Sequence, residues 1–275
     1  MILAKVVQNA LIFDKKSAFA PTLLEKTGQK WYSQLVLLQN KGLLCPFERC
    51  DMEKKYILFD LDGTLTDSYQ GIIHALIYSL NKLGIEPKPE FFREVIGPPL
   101  HHTYMDIYGM SAEESDRATV IFREYYEAKG KFENTPYEGI LEVLQTLHAH
   151  GKKLMIATAK PEHMAVQIAE HFGLSQYLCF IAGVTNDQIQ NAGDPAYRSN
   201  KKEVIEYILR SNDIKDPENA VMVGDRAYDM TAAKALGLQT IGVLYGYGSR
   251  EELEAAGADY LADSPLDISR HIIED

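Results

Sequence analysis

From residue 56 onward, short apolar segments alternate with longer amphipathic segments. The short segments are apolar at nearly every position, which predicts strands buried on both faces, as in a parallel sheet. The longer segments carry apolar residues at helical spacing, and several end at a glycine, as helices often do. This alternation predicts an α/β protein with helices on both faces of the sheet. The predicted strands are 56–59, 154–157, 179–182, 221–223, 240–243 and 260–262, and the predicted helices are 138–150, 162–172, 201–211, 227–236 and 249–256.

One interval of about 70 residues interrupts the alternation before the helix near residue 138. It shows helical periodicity and no convincing strand, which predicts an all-helical insertion at 67–137. An insertion that directly follows a reactive strand end is typical of a cap that encloses substrate and excludes water. A plain extra layer of helices is the alternative. The helical segments of this interval are 71–83, 91–95, 100–108 and 112–129.

The first 51 residues differ in composition from the rest of the chain. They hold seven Lys or Arg against four Asp or Glu, and they contain the single tryptophan, Trp31. We expect an N-terminal extension at 1–51, either an appendage or upstream sequence, and a core formed by 52–66 and 138–275. A mitochondrial presequence is disfavoured, because the first twenty residues lack Arg and include Asp14.

Composition indicates an ordinary globular protein of 275 residues, 46% hydrophobic and 24% charged. No apolar run approaches the roughly 20 residues of a membrane-spanning helix, and the N-terminus lacks a secretory pattern, so we expect a cytoplasmic protein without a membrane partner. The cysteines lack metal-binding spacing and are predicted to be free thiols at positions Cys45, Cys50 and Cys179. Sequence leaves the oligomeric state open, with a monomer as the default.

The formal net charge of −11 argues against a broad nucleic-acid interface, because such interfaces rely on Lys and Arg to neutralise phosphates. A small anionic substrate remains compatible with this charge. A metal ion, a lysine and helix N-termini can form a local positive site on an acidic protein.

Two carboxylates follow the first predicted strand, at Asp60 and Asp62. Acidic side chains this close to a buried strand lose hydration and repel each other, so a fold retains them where a cation or a reaction needs them. Thr158 and Asp225 follow two further predicted strands. Because ligands bind at the carboxyl ends of parallel strands, these groups are expected to meet at one rim. The pattern favours a Mg²⁺-assisted phosphoryl-transfer site.

Asp229 follows Asp225 by four residues, so both carboxylates would point to one side if a helix began there. Such a pair can bind or orient a hard cation. Taken alone, it is more often a helix cap and a solvated acid. With Asp60 and Asp62 on the same rim, the metal interpretation becomes dominant.

Several residues are candidates for phosphate binding. Thr158 leads into a predicted helix, where its hydroxyl and the free backbone N–H groups suit a phosphate oxygen. Lys201 and Lys202 begin another helix, and since a cation there opposes the helix dipole, one of them is expected to pair with an anion. Two solvated surface lysines are the alternative. Gly63 permits a tight turn after the two acids.

Within the insertion, Thr66-Asp67-Ser68 is predicted to cap the first helix. Gly97 and Pro98 belong to a rigid loop, and His101 follows it. These three residues are candidates for substrate contact, with surface or packing roles as the alternative.

Four segments form one ordered set: Asp60–Ser68, Thr158, Lys201 and Gly224–Asp229. This set resembles the four motifs of the haloacid dehalogenase superfamily of phosphohydrolases, over about residues 55–273. Three further segments are similar to bacterial proteins of the phosphoglycolate phosphatase and 5'-nucleotidase type, namely Ile96–Leu100, Arg198–Lys201 and Gly242–Gly248.

The resemblance implies a Rossmann-like core, a helical cap and catalysis through an aspartyl phosphate. It implies that Asp60 attacks phosphorus and that Asp62 protonates the leaving alcohol and then activates water. Thr158 and Lys201 would hold the phosphoryl oxygens, and the resemblance selects Lys201 over Lys202.

The remaining implied roles concern the metal and the edge of the phosphate site. Mg²⁺ would be bound by the Asp60 carboxylate, the Asp62 backbone carbonyl and Asp225, with Asp229 nearby. Gly63 and Ala159 belong to the phosphate-binding set. Ala159 stands where many relatives have Ser or Asn, a departure that removes one weak phosphate contact.

The expected function is a Mg²⁺-dependent phosphatase for small phosphomonoesters, either phosphoglycolate or nucleoside 5'-monophosphates. A phosphomutase would use the same core residues. A non-catalytic phospho-receiver module is disfavoured by the long insertion and by Asp62. A dehalogenase would not need Asp62, and a phosphonatase would need a cap lysine, for which nothing marks Lys82 or Lys88 as buried.

Overall fold

The computed structural model describes residues 54–186, 188–189 and 191–274. The extension expected at 1–51 lies outside these residues, and so do Cys45 and Cys50. Cys179 is a free thiol, as expected. Across the described ranges, none of the helices combines the length and apolar character needed to cross a membrane.

Eight strands form two sheets in the described residues. Six strands form a parallel sheet that confirms the predicted α/β class and every predicted strand, while the two shortest pair antiparallel. The strands are β1 (Tyr56–Phe59), β2 (Thr66–Asp67), β3 (Thr135–Pro136), β4 (Lys153–Pro161), β5 (Leu178–Val184), β6 (Ala220–Gly224), β7 (Gln239–Val243) and β8 (Tyr260–Ala262). The order in the large sheet is β5-β4-β1-β6-β7-β8, so β1 lies between β4 and β6.

Nine α-helices accompany these strands in the described ranges. They are α1 (Tyr69–Lys82), α2 (Leu100–Asp106), α3 (Ala112–Ala128), α4 (Ile140–Ala149), α5 (Glu162–His171), α6 (Lys201–Ser211), α7 (Ala227–Lys234), α8 (Arg250–Ala255) and α9 (Pro265–Glu274).

The large sheet is covered by apolar side chains on both faces. In β1, Ile57 and Phe59 pack on one face with residues of α4, α5 and α9, whereas Leu58 packs on the other with residues of α6 and α7. All three side chains are fully buried. The alternation follows from strand geometry, in which successive side chains point to opposite faces. Burial on both faces explains why the strand segments are apolar throughout.

The inserted helices α1, α2 and α3 have an apolar cluster of their own, which includes Leu76, Tyr104 and Tyr126. Met164 of α5 joins this cluster, so the insertion also packs against the core. A capping box begins α3, in which the side chains of Ser111 and Glu114 each accept a backbone N–H of the other residue. The segments that connect the insertion to the sheet pair as β2 and β3.

Three details differ from the sequence prediction. The helix predicted at 91–95 is wrong: a single 3-10 turn, Pro89–Phe91, precedes irregular backbone, because prolines and Gly97 bound this short segment. Thr66 and Asp67 form β2, and Ser68, the N-cap of α1, makes no side-chain cap bond, whereas Asp67 Oδ1 accepts the Tyr69 backbone N–H at 3.1 Å. Helix α9 was not predicted.

Candidate active site

Asp60 and Asp225 directly follow the neighbouring strands β1 and β6. The backbone N–H of Asp60 donates to the Val223 carbonyl at 2.9 Å, which extends the pairing of the two strands by one residue. Thr158 lies near the end of β4, on the other side of β1. All three residues therefore reach the carboxyl edge of the sheet, at the strand where the chain switches from one side of the sheet to the other.

Lys201 is the first residue of α6 and also lies at this edge. Its Nζ lies 2.8 Å from Asp60 Oδ1 and 2.7 Å from Asp229 Oδ1. The same Nζ donates a hydrogen bond to the Ala157 carbonyl at 2.9 Å. Although burial disfavours the ammonium, the carboxylates of Asp229 and Asp60 outweigh it and raise the pKa of Lys201. Lys201 therefore stays charged and fixes two carboxylates.

Lys202 takes a different environment from its neighbour. Its side chain is half exposed and lies 3.7 Å from Glu206, one helical turn later. An exposed pair of this kind contributes little stability. Of the two lysines considered from sequence, only Lys201 joins the acidic residues.

Asp60, Asp225 and Asp229 form a buried acidic cluster. One carboxylate oxygen of each lies within 4.8 Å of the others. Helix α7 begins only at Ala227, so Asp225 precedes the helix and does not share a helical face with Asp229 as the spacing suggested. The carboxylates nevertheless converge.

Hydrogen bonds hold the Asp225 carboxylate in place. Its Oδ2 accepts the Tyr247 backbone N–H at 2.9 Å, and its Oδ1 accepts the Thr64 hydroxyl at 3.4 Å. Burial, reinforced by the charges of Asp229 and Asp60, raises the pKa of Asp225 well above its usual value. Burial also raises the pKa of Asp229, against the opposing effect of Lys201. The cluster thus has more negative charge than one lysine balances.

Glycines allow the close approach of backbone to Asp225. Gly63 has φ +80°, and a Cβ there would lie 2.1 Å from Asp225 Oδ2. A Cβ on Gly246 would lie 2.4 Å from Asp225 Cβ. Larger residues at either position would displace the carboxylate. This explains Gly246 in the segment Gly242–Gly248, whose contact with the site the sequence did not reveal.

The acidic cluster has the properties of a site for a hard cation. Its donors are carboxylate oxygens, which Mg²⁺ prefers, and its mutual repulsion is the kind that a divalent ion relieves. The residues present therefore fit Mg²⁺. The ligand role of each residue, including the backbone carbonyl of Asp62, stays a prediction.

Asp62 makes one ion pair, with a residue that the sequence analysis did not select. Its Oδ2 lies 2.9 Å from Nζ of Lys160, which also donates to the Tyr126 hydroxyl at 2.7 Å. Oδ1 of Asp62 is buried and has no hydrogen-bond partner among the described residues. Lys160 could have been noticed because it follows Thr158 at a strand end. Tyr126 gave no signal, because it belongs to the inserted helix α3.

Thr158 and Ala159 lie in β4 beside this group. Thr158 is buried, and its hydroxyl accepts the Lys160 backbone N–H at 3.2 Å. Ala159 is half-buried and brings no polar side chain. The phosphate-binding roles of both residues stay predictions.

The residues of the insertion that are candidates for substrate contact lie against other residues of the protein. Gly97 lies against the Arg226 side chain, and Arg226 also donates to the Ile96 carbonyl. Nδ1 of His101 lies 3.0 Å from the Ser115 hydroxyl and 3.3 Å from Asp116 Oδ1, both in α3. Pro98 precedes α2. These contacts are packing within the insertion and between the insertion and the core, and contact with substrate stays a prediction.

Comparison with known proteins places the chain among hydrolases. A 5'-nucleotidase of Pseudomonas aeruginosa is 37% identical over 220 residues, which cover 79% of this chain and 95% of that protein. The tyrosine-protein kinase PtkA of Mycobacterium tuberculosis is 37% identical over 201 residues, 72% of this chain and 65% of that protein. The crystal structure of a predicted phosphatase from Clostridium acetobutylicum has a TM-score of 0.74 and 41% identity, covering 81% of this chain and 99% of that one.

The family model for haloacid dehalogenase-like hydrolases matches residues 57–243. This range contains all but the first residue of β1, strands β2 through β7 and every residue of the acidic cluster. The resemblance noted in the sequence is thereby confirmed, and the chain belongs to the haloacid dehalogenase-like hydrolase family.

Proposed function

We propose that the protein is a Mg²⁺-dependent phosphatase that hydrolyses small phosphomonoesters through an aspartyl phosphate on Asp60. One observation carries the proposal: Asp60, Asp225 and Asp229 converge around Lys201 at the carboxyl edge of the sheet. The 5'-nucleotidase relative supports nucleoside 5'-monophosphates as substrates, and the sequence resemblance also supports phosphoglycolate. A cytoplasmic location stays a prediction.

Asp60 is positioned to act as the nucleophile. Its Oδ1 accepts the Leu61 backbone N–H at 2.7 Å and pairs with Lys201, so both groups hold the same oxygen. Oδ2 is then the oxygen that attacks phosphorus, with the alcohol oxygen leaving on the opposite side. Lys201, with Thr158, would counter the charge of the phosphoryl oxygens. Phosphoryl transfer depends mainly on such positioning and charge neutralisation.

Asp62 would transfer the protons of both steps. It protonates the leaving alcohol as the Asp60–phosphorus bond forms, and the resulting carboxylate then takes a proton from the water that attacks the aspartyl phosphate. When bound by Asp60, Asp225, Asp229 and the Asp62 carbonyl, Mg²⁺ would supply positive charge for the phosphoryl group.

We further propose that 67–137 functions as a cap on a core of 52–66 and 138–275. Several hydrogen bonds join the insertion to the core. Arg93 donates to the Gly246 carbonyl at 3.2 Å on one side, and Lys131 donates to Gln167 at 2.7 Å on the other. A cap in this position would exclude water before the phosphoryl group transfers.

The proposal is tested by a substrate screen with Mg²⁺ and, in parallel, with EDTA. Phosphoglycolate, nucleoside 5'-monophosphates and sugar phosphates are compared by kcat/KM. We expect phosphate release that requires Mg²⁺ and favours one of the first two classes. Rearrangement of a sugar phosphate without phosphate release would instead indicate the phosphomutase. A phosphorylated protein that never releases phosphate would indicate the receiver module.

A further inference from the structure

We propose that Lys160 and Tyr126 are positioning residues for Asp62, and that they make the orientation of Asp62 depend on the placement of helix α3. The inference rests on the proposed phosphatase function, in which Asp62 transfers protons. Three separate parts of the chain meet here: the loop after β1, the end of β4 and the end of α3.

Lys160 is a buried cation with two anchoring partners. Its side chain is only 6% exposed, and Nζ lies 2.9 Å from Asp62 Oδ2. Nζ also donates to the Tyr126 hydroxyl at 2.7 Å and lies 4.5 Å from the centre of the Tyr126 ring. A buried ammonium is retained only where such partners replace water. The position of Lys160 is therefore set by Asp62 and Tyr126 together.

The ion pair engages only one oxygen of the Asp62 carboxylate. Oδ2 is held by Lys160, whereas the buried Oδ1 has no hydrogen-bond partner among the described residues. A proton-transferring carboxylate needs one oxygen that is free to face the reacting atoms. By fixing Oδ2, Lys160 sets the rotation of the carboxylate and leaves Oδ1 for the proton.

Tyr126 connects this arrangement to the insertion. It is 3% exposed, and its ring stacks on Phe122 of the same helix at 5.5 Å between centroids. It also belongs to the apolar cluster that includes Met164 of α5. The hydroxyl can reach Lys160 only while the end of α3 lies beside the end of β4. If α3 moved away, Lys160 would lose one of its two anchors and Asp62 would lose its fixed orientation.

The test compares three variants with the full-length wild-type protein. Lys160→Met removes the ammonium but keeps a long apolar side chain. Tyr126→Phe removes only the hydroxyl and keeps the stacked ring. Lys82→Met is the matched control, because Lys82 also pairs with a side chain of α3, Glu124 at 2.8 Å, but is half exposed and lies wholly within the insertion. Thermal unfolding confirms that each variant is folded.

Two substrates separate positioning of Asp62 from general structural damage. The leaving group of p-nitrophenyl phosphate departs without a proton, whereas the alcohol of phosphoglycolate requires one. The ratio kcat/KM reports the steps through departure of the leaving group. Lys160→Met is expected to lower kcat/KM about 100-fold for phosphoglycolate, the scale of general acid catalysis, but less than about fivefold for p-nitrophenyl phosphate. If phosphoglycolate is a poor substrate, the best nucleoside 5'-monophosphate takes its place.

Tyr126→Phe is expected to show the same selectivity with a smaller loss, about fivefold, as for one hydrogen bond. Lys82→Met should change neither value by more than about twofold. If Lys160→Met and Tyr126→Phe each lose the same factor in kcat/KM on both substrates, this inference is overturned but the proposed function is not. Wild-type kcat/KM values in both variants would have the same meaning. If Lys160→Met does not fold, Tyr126→Phe decides. A wild-type protein that hydrolyses neither ester with Mg²⁺ would overturn the proposed function and this inference with it.

Discussion

Asp60 and Lys201 form a buried ion pair with 2.8 Å between Oδ1 and Nζ. The side chains are 11% and 6% exposed, respectively. Removing one partner of such a buried pair strongly destabilises the folded protein, because the other partner remains as an uncompensated charge. The proposed nucleophile and its counter-charge therefore also form a structural unit.

Asp60→Asn is expected to abolish phosphatase activity, with a loss of at least about 1,000-fold, because the amide cannot form the acyl phosphate. The fold should persist, since the amide oxygen can still accept from Leu61 and Lys201. Phosphate release with Mg²⁺ measures the first effect and circular dichroism the second. Asp216→Asn is the control, because Asp216 precedes β6 at the opposite edge of the sheet. Full turnover by Asp60→Asn would contradict the assignment.

Asp225→Asn is expected to stabilise the metal-free protein at pH 8 more than at pH 5. Burial raises the pKa of Asp225, so the folded protein keeps a proton there at pH values where the unfolded chain, with a pKa of about 3.9, has lost it. The native state binds more protons, and its stability falls as pH rises from about 4 to the folded pKa. The variant does not lose stability in this way, so its free energy of unfolding at pH 8 should exceed that of the wild type by more than about 1 kcal/mol. Urea unfolding in EDTA measures the difference.

Mg²⁺ should reverse the order of stability, so that the wild-type protein becomes more stable than Asp225→Asn. At 100 times its Kd, a bound ion stabilises the native state by about 3 kcal/mol, and only the wild-type protein retains the full acidic cluster. Asp263→Asn serves as the control, because the Asp263 side chain is 80% exposed and pairs only weakly with Arg250. Equal stabilisation of wild type and Asp225→Asn by Mg²⁺ would place the ion elsewhere.

Gly63→Ala is expected to lower both stability and activity, whereas Gly84→Ala lowers stability alone. Both glycines have positive φ, +80° and +70°, so both substitutions strain the backbone by about 1 kcal/mol. A Cβ at Gly84 meets nothing within 4 Å, but one at Gly63 would collide with Asp225 Oδ2. Chemical unfolding and kcat/KM in the two variants separate strain from collision. Similar kcat/KM values for Gly63→Ala and Gly84→Ala would show that displacing Asp225 does not affect activity.

Arg226→Met is expected to raise KM about tenfold with a smaller change in kcat, because it loosens the insertion on the core. Arg226 donates to the Ile96 carbonyl, and Glu252 orients it through a 2.9 Å bond to Nε. Arg250→Met is the matched control, since its side chain is 49% exposed and pairs only with exposed acids. A fall in kcat with unchanged KM would contradict a role in holding the insertion closed.

The sequence predicted most accurately the positions of residues at the ends of strands. Asp60, Thr158 and Asp225 follow apolar runs, and parallel strands necessarily bring their carboxyl ends to one edge. The unfavourable helix start predicted an anionic partner for Lys201 or Lys202, and the family resemblance selected Lys201, whose partners in the structure are Asp60 and Asp229. The strand-end inferences needed only local pattern and one rule of topology.

The remaining features depend on contacts between distant segments. Tyr126 meets Lys160 because the tertiary fold brings the end of α3 beside the end of β4, and no periodicity encodes that pairing. Gly246 lies beside Asp225 because a loop after β7 folds back over β6, a placement that only tertiary structure fixes. The short helix predicted at 91–95 was wrong for the opposite reason, since local prolines overrode a weak apolar pattern.

The central position of β1 has a consequence for biosynthesis. The ribosome releases the Asp60 segment early, but the hydroxyl of Thr64 and the carboxylate of Asp225 that it contacts are 161 residues apart in the chain. Strand β1 gains its second neighbour only when β6 emerges, and contacts this distant form late. Nascent and prematurely terminated chains that lack β6 therefore carry Asp60 without Asp225 and Asp229, so they contain only part of the proposed metal site and should not show the proposed activity.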